Sequence, residues 1–206
     1  MPEPLSLWPH TGAILMSSYD AQTSASKAET RMWDDRTMLE TVLRTMLSIC
    51  RSVVIVGESS SSTAVKQERV RHLPNPRAEL GPLAGLEALL GSNLDTQYLV
   101  ATCDQPFLAI PLLWQLTEGD PSAAHMFLIP KGTSFHPFPC YFPSSLLGAV
   151  QQTLTSKTPT MRRFVKQHPP LWVPLSESEA NHLLQVNAPE QLARLQRLAG
   201  HNTISF

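Results

Sequence analysis

Apolar and polar residues alternate along the chain in blocks that predict strands and helices in turn. Runs of roughly four to eight mainly apolar residues predict buried strands. These predicted strands are residues 12–15, 53–57, 98–101 and 125–129, and the more polar residues 70–73 are predicted as a further strand. Between them, apolar residues at helical spacing predict amphipathic helices. The predicted helices cover residues 37–49, a segment that begins near Leu83, and residues 110–117.

Strands that alternate with helices over the first 130 residues predict an α/β fold with a three-layer α/β/α, Rossmann-like architecture and a mostly parallel sheet. Residues 135–142 are extended but interrupted by prolines, which predicts a strand at the sheet edge. A length of 206 residues suits one domain of this kind. We therefore expect residues 1–206 to form a single domain, with the proline-containing residues 1–11 as an irregular lead-in.

The charge balance argues against a polyanionic macromolecule as the partner. The chain has 16 Lys+Arg and 17 Asp+Glu, which gives a formal net charge of −1. Nucleic-acid and anionic-membrane binding usually require a basic surface, so neither is expected. A free nucleotide is the more natural anionic ligand.

Neither a membrane span nor an export signal is indicated by the sequence. No run of eighteen apolar residues occurs, and the first thirty residues lack a basic segment followed by a hydrophobic one. The three cysteines, Cys50, Cys103 and Cys140, have no metal-ligand spacing and are interpreted as reduced packing residues. We expect a cytoplasmic protein.

Candidate chemistry lies where a predicted strand ends. Asp104 follows the buried run 98–101, so its carboxylate is expected at the carboxyl edge of the sheet, where ligands of α/β proteins bind. A carboxylate there can hold a divalent metal against phosphates. Gly81 and Gly85 precede and enter a predicted helix, and glycine lets the backbone pass close to a flat ligand.

The segments Gly-Pro-Leu-Ala-Gly at 81–85 and Thr-Cys-Asp-Gln-Pro-Phe at 102–107 together resemble motifs of the molybdenum cofactor guanylyltransferases, a nucleotidyltransferase family. The resemblance implies that the first segment contacts the guanine of GTP and that Asp104 binds Mg²⁺. The implied guanine contacts are Gly81, Pro82, Leu83 and Gly85. Asn75 lies near a position where relatives carry a nucleotide-binding aspartate.

The N-terminal loop resembles the family's phosphate loop only at its two ends. Leu15 falls on the family's leucine, and Lys27 then falls on its lysine without a gap. Lys27 is therefore implied to pair with the phosphates and, with Asp104, to be catalytic. Between these ends the family's glycines, arginine and aspartate are replaced by the following residues: Ser17, Ser18, Gln22, Ser24 and Ser26. Serine adopts the backbone conformations of a phosphate-wrapping glycine only at a cost of about 1–2 kcal/mol each.

Two further segments resemble the family's site for the second substrate, molybdopterin. His136 precedes a proline as in many relatives, although a histidine there also commonly bonds a loop carbonyl. Asn187 matches one asparagine of a turn before the last helix, where Gln185 replaces the other. Asn187 also suits an ordinary helix start, because a proline follows two residues later.

The resemblance implies transfer of GMP from GTP to molybdopterin, which gives the guanine dinucleotide form. Molybdoenzymes or cofactor-insertion proteins are the implied protein partners. An alternative is a catalytically impaired family member that binds molybdopterin or a partner protein, which accounts for the altered phosphate loop. A further alternative is a transferase for another nucleotide, although the 81–85 segment favours guanine.

Overall fold

A computed structural model describes residues 7–16, 28–32, 34–57, 68–128 and 135–186. Within these residues, seven strands form one sheet in the order β3-β2-β1-β4-β6-β5-β7. The strands are β1 (Trp8–Leu15), β2 (Cys50–Val56), β3 (Val70–Leu73), β4 (Gln97–Thr102), β5 (His125–Leu128), β6 (Phe135–Pro143) and β7 (Leu171–Pro174). The helices are α1 (Met38–Ile49), α2 (Pro82–Gly91), α3 (Ile110–Thr117), α4 (Leu147–Leu154), α5 (Met161–Gln167) and α6 (Glu177–Ala180).

The sheet is mostly parallel, as predicted. Strands β3, β2, β1 and β4 run parallel to one another, and β7 runs parallel to β5. Strand β6 is antiparallel to both of its neighbours, β4 and β5. The chain moves outward from β1 to β3 and then returns to place β4 on the other side of β1. The direction of winding therefore switches between β1 and β4, which is where open α/β sheets form a ligand crevice.

Helices cover both faces of the sheet, which confirms the three-layer prediction. Side chains of the central strands point alternately to the two faces, because successive residues of a strand face opposite ways. On one face Ile14, Val53, Ile55 and Leu99 pack with Leu39 and Leu43 of α1 and Leu112 and Leu113 of α3. On the other face Leu15, Val54 and Val100 pack with Leu86 and Leu89 of α2, Val150 of α4 and Phe164 of α5.

The predicted helix at residues 37–49 is confirmed with a defined start. Thr37 caps α1, because its hydroxyl accepts a hydrogen bond from the backbone N–H of Glu40 at 3.1 Å. The Glu40 carboxylate accepts one in return from the Thr37 N–H at 2.7 Å. This reciprocal capping box satisfies two backbone donors at the helix start.

The amino ends of the three central strands are tied together by one carboxylate. Asp95, two residues before β4, accepts hydrogen bonds from Thr11 of β1 at 2.9 Å and from Arg51 of β2 at 3.4 Å. His10 Nδ1 lies 2.9 Å from the same carboxylate. Burial would raise the pKa of Asp95, but bonds from His10, the Thr96 backbone and Thr11 outweigh it and hold the pKa below its usual value.

Strand β1 begins earlier than the sequence predicted. It starts at Trp8, so residues 8–11, which were predicted to be irregular lead-in, belong to the sheet. The proline in this part coincides with a register shift between Trp8 and Thr11 relative to β2. The strand continues through this irregularity because His10 and Thr11 are bonded to Asp95.

The prediction that residues 135–142 form an edge strand is wrong. Strand β6 lies inside the sheet, between β4 and β5. Its prolines at 137 and 139 are tolerated because they fall outside the two ladders. Against β5 the pairing jumps from Cys140 to His136, and against β4 the described register reaches Cys140 opposite Val100. Residues 137–139 thus form a bulge, where a proline removes no ladder hydrogen bond.

Strand β7 was missed by the sequence reasoning. Its four residues are flanked by prolines at 169 and 170 and end at Pro174, which is a typical loop composition. Pairing of β7 with β5 gives these residues their extended conformation. Only the tertiary neighbour distinguishes this segment from a loop.

Candidate functional site

A pocket of about 240 Å³ opens at the carboxyl edge of the sheet, beside the switch between β1 and β4. It is lined by residues from five parts of the chain: Pro82, Leu83, Thr102, Asp104, Pro137, Phe138, Pro159, Thr160, Met161 and Gln185. Asp104 is the carboxylate in this lining. Most of the other side chains are apolar, as is common for small-molecule sites with a few polar groups.

Asp104 is held in place through its side chain and its backbone. It is 9% exposed, and its Oδ1 accepts a hydrogen bond of 2.6 Å from the hydroxyl of Thr102. The Asp104 carbonyl accepts a bond of 2.8 Å from the N–H of Val186. One residue earlier, the Cys103 N–H donates to the carbonyl of Leu15 at 3.3 Å, which anchors the turn to β1.

Gln105 lies behind the carboxylate and is fully buried. Its Oε1 accepts hydrogen bonds from the Thr102 hydroxyl at 3.0 Å and from the Thr102 N–H at 3.4 Å. Its Nε2 donates a bond of 2.7 Å to the carbonyl of Phe138 in β6. Both polar ends of this buried amide are therefore satisfied within the protein.

The segment 81–85 reaches the pocket through Pro82 and Leu83, whereas Gly81 and Gly85 are not among the lining residues. Gly81 precedes α2 with φ of 74° and ψ of −157°, a conformation that only glycine adopts readily. Pro82 then occupies the first turn of α2, where its missing N–H costs no helical bond. The turn at Gly81 places Pro82 and Leu83 in the pocket wall.

Gly85 has a packing role that the sequence reasoning did not give it. It is buried in α2, and a Cβ added there would lie 3.3 Å from Leu15 Cδ2 and 3.7 Å from Asn75 Nδ2. Leu15, Asn75 and Gly85 are thus neighbours, and the glycine lets α2 approach the end of β1 closely. None of the three is among the residues that line the pocket, so their implied contacts with GTP stay predictions.

His136 and Gln185 differ in their relation to the pocket. His136 is half-buried in β6 and pairs with Phe127, while the adjacent Pro137 is the residue that lines the pocket. Burial lowers the pKa of the His136 imidazole. Gln185, which stands where relatives carry an asparagine, does line the pocket. The family's turn is therefore near the pocket at this position.

Several implied site residues lie outside the described part of the chain. Lys27 and Asn187 are among them, and so are the residues that replace the family's phosphate loop. Those replacements are Ser17, Ser18, Gln22, Ser24 and Ser26. Their roles stay predictions.

One wall of the pocket comes from the start of α5. Pro159, Thr160 and Met161 lie there and line the cavity together with Phe138. Thr160 caps α5 by accepting a bond of 3.2 Å from the Arg163 N–H. A threonine before an apolar residue is a recognisable helix start. That signal predicts α5 but not its position against β6.

The described residues are suited to a metal ion that binds together with a nucleotide. They are less suited to a metal ion that is held by protein side chains alone. Within them, no group of three or more His, Cys, Asp and Glu side chains could hold a metal. Mg²⁺ is commonly bound by one or two carboxylates together with substrate phosphates and water. Asp104, hydrogen-bonded to Thr102 and lining the pocket, matches that mode.

The cysteines fit packing roles and not nucleophilic ones. Cys50, Cys103 and Cys140 are buried, and they form no disulfide. Burial raises the pKa of Cys50 to about 12, despite the opposing influence of Arg69, and burial also raises the pKa of Cys140. A thiol with a raised pKa is protonated near neutral pH and reacts poorly.

A mostly parallel three-layer architecture with a pocket at its topological switch defines an α/β protein of the doubly wound class. The family model described as the MobA-like NTP transferase domain matches residues 21–201. The chain therefore belongs to the MobA-like NTP transferase family. Among the described residues, no helix has the length and apolar character needed to cross a membrane.

Relatives with a named activity are distant in sequence. A probable molybdenum cofactor guanylyltransferase from Flavobacterium johnsoniae is 20% identical over 162 residues, which cover 78% of this chain and 83% of the relative. The solved structure of molybdopterin-guanine dinucleotide biosynthesis protein A from Archaeoglobus fulgidus has a TM-score of 0.73 at 17% identity, covering 93% of this chain and 100% of that one.

The same fold occurs in transferases with other named substrates. The 2-C-methyl-D-erythritol 4-phosphate cytidylyltransferase from Thermus thermophilus has a TM-score of 0.61 at 16% identity, covering 91% of this chain and 97% of that one. At such identities the structural likeness establishes the fold alone.

Proposed function

We propose that this protein is a molybdenum cofactor guanylyltransferase, which transfers GMP from GTP to molybdopterin. The observation that carries the proposal is the meeting of Asp104, Pro82 and Leu83 in one pocket at the carboxyl end of β4. These residues come from the two segments whose sequences resemble the family's guanine and metal motifs. The similarity to the Flavobacterium johnsoniae protein, named as a probable guanylyltransferase, supports the choice of nucleotide.

In the proposed reaction a phosphate oxygen of molybdopterin attacks the α-phosphorus of GTP, and pyrophosphate leaves. No covalent enzyme intermediate is needed, so the protein's task is to align two anionic substrates and offset the charge on the phosphates. Mg²⁺ held with GTP would supply much of that charge neutralisation. Asp104 would hold the metal–nucleotide complex in one orientation, because its carboxylate is fixed by Thr102.

The residues around Asp104 suggest a division of the pocket. The α2 side, with Pro82 and Leu83, would take the guanine. The remaining lining, with Met161 and Gln185, would take the second substrate. Lys27 would pair with the triphosphate. Asn187 and His136, which precedes Pro137, would contact molybdopterin.

One sequence observation favours a second candidate, a family member that binds these ligands without efficient catalysis. Ser17, Ser18 and Gln22 replace the family's paired glycines and arginine. Backbone donors presented by glycine and a fixed guanidinium both stabilise developing phosphate charge. Loss of one such donor can lower a rate by roughly 10²–10³. The binding-only protein thus shares the pocket and differs in turnover.

Calorimetric titration tests the proposal directly. Purified protein is titrated with GTP and with CTP, each with and without Mg²⁺. We expect GTP to bind more tightly than CTP and more tightly with Mg²⁺ than without it. Equal affinity for the two nucleotides would contradict guanine selection, and no binding of either would contradict the nucleotidyltransferase assignment. Turnover with molybdopterin and GTP then separates the enzyme from the binding-only protein.

A further inference from the structure

Strands β4 and β6 stop pairing beside the pocket, where β6 enters its bulge. Their antiparallel register runs from Gln97 opposite Pro143 to Val100 opposite Cys140. Two residues further along, the same register would set Thr102 opposite Phe138. Both of these residues line the pocket. The cavity therefore begins where the next rung of the ladder would form.

The backbone of Thr102 is oriented for that missing rung. Successive N–H groups of a strand point to opposite sides, and the Cys103 N–H donates to Leu15 in β1. The Thr102 N–H accordingly points the other way, towards β6. A direct bond from this N–H to the Phe138 carbonyl would close the two strands against each other.

The side-chain amide of Gln105 occupies the place of that bond. Its Oε1 accepts from the Thr102 N–H at 3.4 Å, and its Nε2 donates to the Phe138 carbonyl at 2.7 Å. The amide thus acts like an inserted peptide group. Its oxygen accepts a hydrogen bond from β4, and its nitrogen donates one to β6. It satisfies both backbone groups while it keeps the strands one amide width apart.

The same amide also contacts the group that orients Asp104. The Thr102 hydroxyl lies 3.0 Å from Gln105 Oε1 and 2.6 Å from Asp104 Oδ1. A hydroxyl has one proton, which the two oxygens share, and the shorter contact to the carboxylate is the stronger of the two. Gln105 Oε1 therefore restricts where the hydroxyl oxygen can lie, and the hydroxyl in turn fixes one carboxylate oxygen.

We propose that Gln105 is a positioning residue that opens the pocket between β4 and β6 and, through Thr102, sets the orientation of the Asp104 carboxylate. This inference rests on the proposed function for its ligand, a metal–nucleotide complex. The spacer role itself depends only on the contacts of Gln105 with the two strands. The two parts can therefore be tested separately.

The spacer role is tested by the crystal structure of Gln105→Ala without ligand. We expect the Thr102 N–H to bond directly to the Phe138 carbonyl, with loss of most of the pocket volume. Strands that stay apart around an open pocket would overturn the spacer role. Gln105→Glu serves as a second variant if the alanine variant does not fold. Its carboxylate keeps an acceptor for Thr102 but has no donor for Phe138, so we expect β6 to shift away.

The orienting role is tested by Thr102→Val, which removes the hydroxyl and keeps the β-branched shape. We expect the gain in GTP affinity that Mg²⁺ provides to fall roughly 10–100-fold, as for other groups that orient a metal ligand. Thr153→Val is the matched control, because the buried Thr153 hydroxyl bonds Ala149 within α4 and lies outside the pocket lining. This control should keep the full Mg²⁺ effect.

The outcomes distinguish this inference from the proposed function. A folded Thr102→Val protein with the wild-type Mg²⁺ effect would overturn the orienting role while the proposed function stands. An equal loss in Thr102→Val and Thr153→Val would also overturn it, because the effect would then reflect general destabilisation. Wild-type protein that binds no nucleotide would contradict the proposed function and with it the orienting role. The crystal structure of Gln105→Ala would still decide the spacer role.

Discussion

A Cβ added to Gly85 would lie 3.3 Å from Cδ2 of Leu15, so α2 and β1 touch at a point where the helix carries no side chain. Gly85→Ala would gain about 1 kcal/mol of helix propensity. Overpacking a buried contact costs about 1–3 kcal/mol, and Leu15 is 1% exposed and has little room to move. We expect a net loss of about 1 kcal/mol in the free energy of unfolding, measured by urea denaturation.

Gly148→Ala is the matched control for this substitution. Gly148 lies in α4, and an added Cβ would meet nothing within 4 Å. This variant should gain up to about 1 kcal/mol in stability. In a Leu15→Ala background, Gly85→Ala should also become stabilising, because its obstacle is gone. Destabilisation of equal size in both backgrounds would show that Leu15 is not the cause.

The lowered pKa of Asp95 predicts that the protein loses stability in acid. Its folded-state pKa is lowered, so its contribution is fully present above the ordinary aspartate pKa of about 3.9 and is lost as the pH falls through the folded value. Asp95→Asn should therefore lower the free energy of unfolding more at about pH 6 than at about pH 3. Glu118→Gln, at an exposed position, should show no such trend. A pH-independent difference between wild type and Asp95→Asn would contradict the assignment.

Asp104→Asn should separate ligand binding from stability. Asparagine keeps an acceptor for the Thr102 hydroxyl, so we expect a loss of less than about 1 kcal/mol in stability. The carboxylate charge is gone, and the Mg²⁺-dependent part of GTP affinity should fall at least about tenfold. Calorimetry with and without Mg²⁺ measures this effect. Asp120→Asn, exposed and outside the pocket lining, should leave it unchanged. Unfolding of Asp104→Asn with no metal effect in wild type would make Asp104 a structural cap.

Restoring the family's phosphate loop should strengthen nucleotide binding. The triple variant Ser17→Gly, Ser18→Gly and Gln22→Arg adds backbone freedom and a guanidinium, and one charge-assisted bond alone is worth about tenfold in affinity. The control variant Ser17→Ala, Ser18→Ala and Gln22→Met changes the same positions without either feature. We expect only the first variant to bind Mg²⁺ and GTP more tightly and to raise turnover. Wild-type turnover with molybdopterin of about 1 s⁻¹ or faster would show that the altered loop is no handicap.

The sequence predicted those parts of the site that follow from local order along the chain. Asp104 ends a continuous apolar run, and such a run in a parallel sheet places its last residue at the carboxyl edge. Gly81 and Pro82 indicate a helix start in the same local way. The pocket lining contains Asp104 and Pro82 as a result.

The parts that the sequence did not predict depend on contacts between distant segments. The prolines at 137 and 139 suggested an edge strand. The bulge that accommodates them exists only where β6 lies between β4 and β5, and the sequence alone does not show this pairing. Gln105 resembles any polar turn residue until Phe138 stands opposite it. Met161 belongs to an ordinary capped helix, and only tertiary packing brings it to the pocket.

Because Asp95 bonds to both β1 and β2, we expect the two edges of the sheet to tolerate substitutions to different degrees. Thr11, Arg51 and Asp95 fasten neighbouring strands at the edge far from the pocket. We therefore expect substitutions in the segments that follow the carboxyl ends of these strands, such as residues 17–27, to leave the alignment of the strands in place.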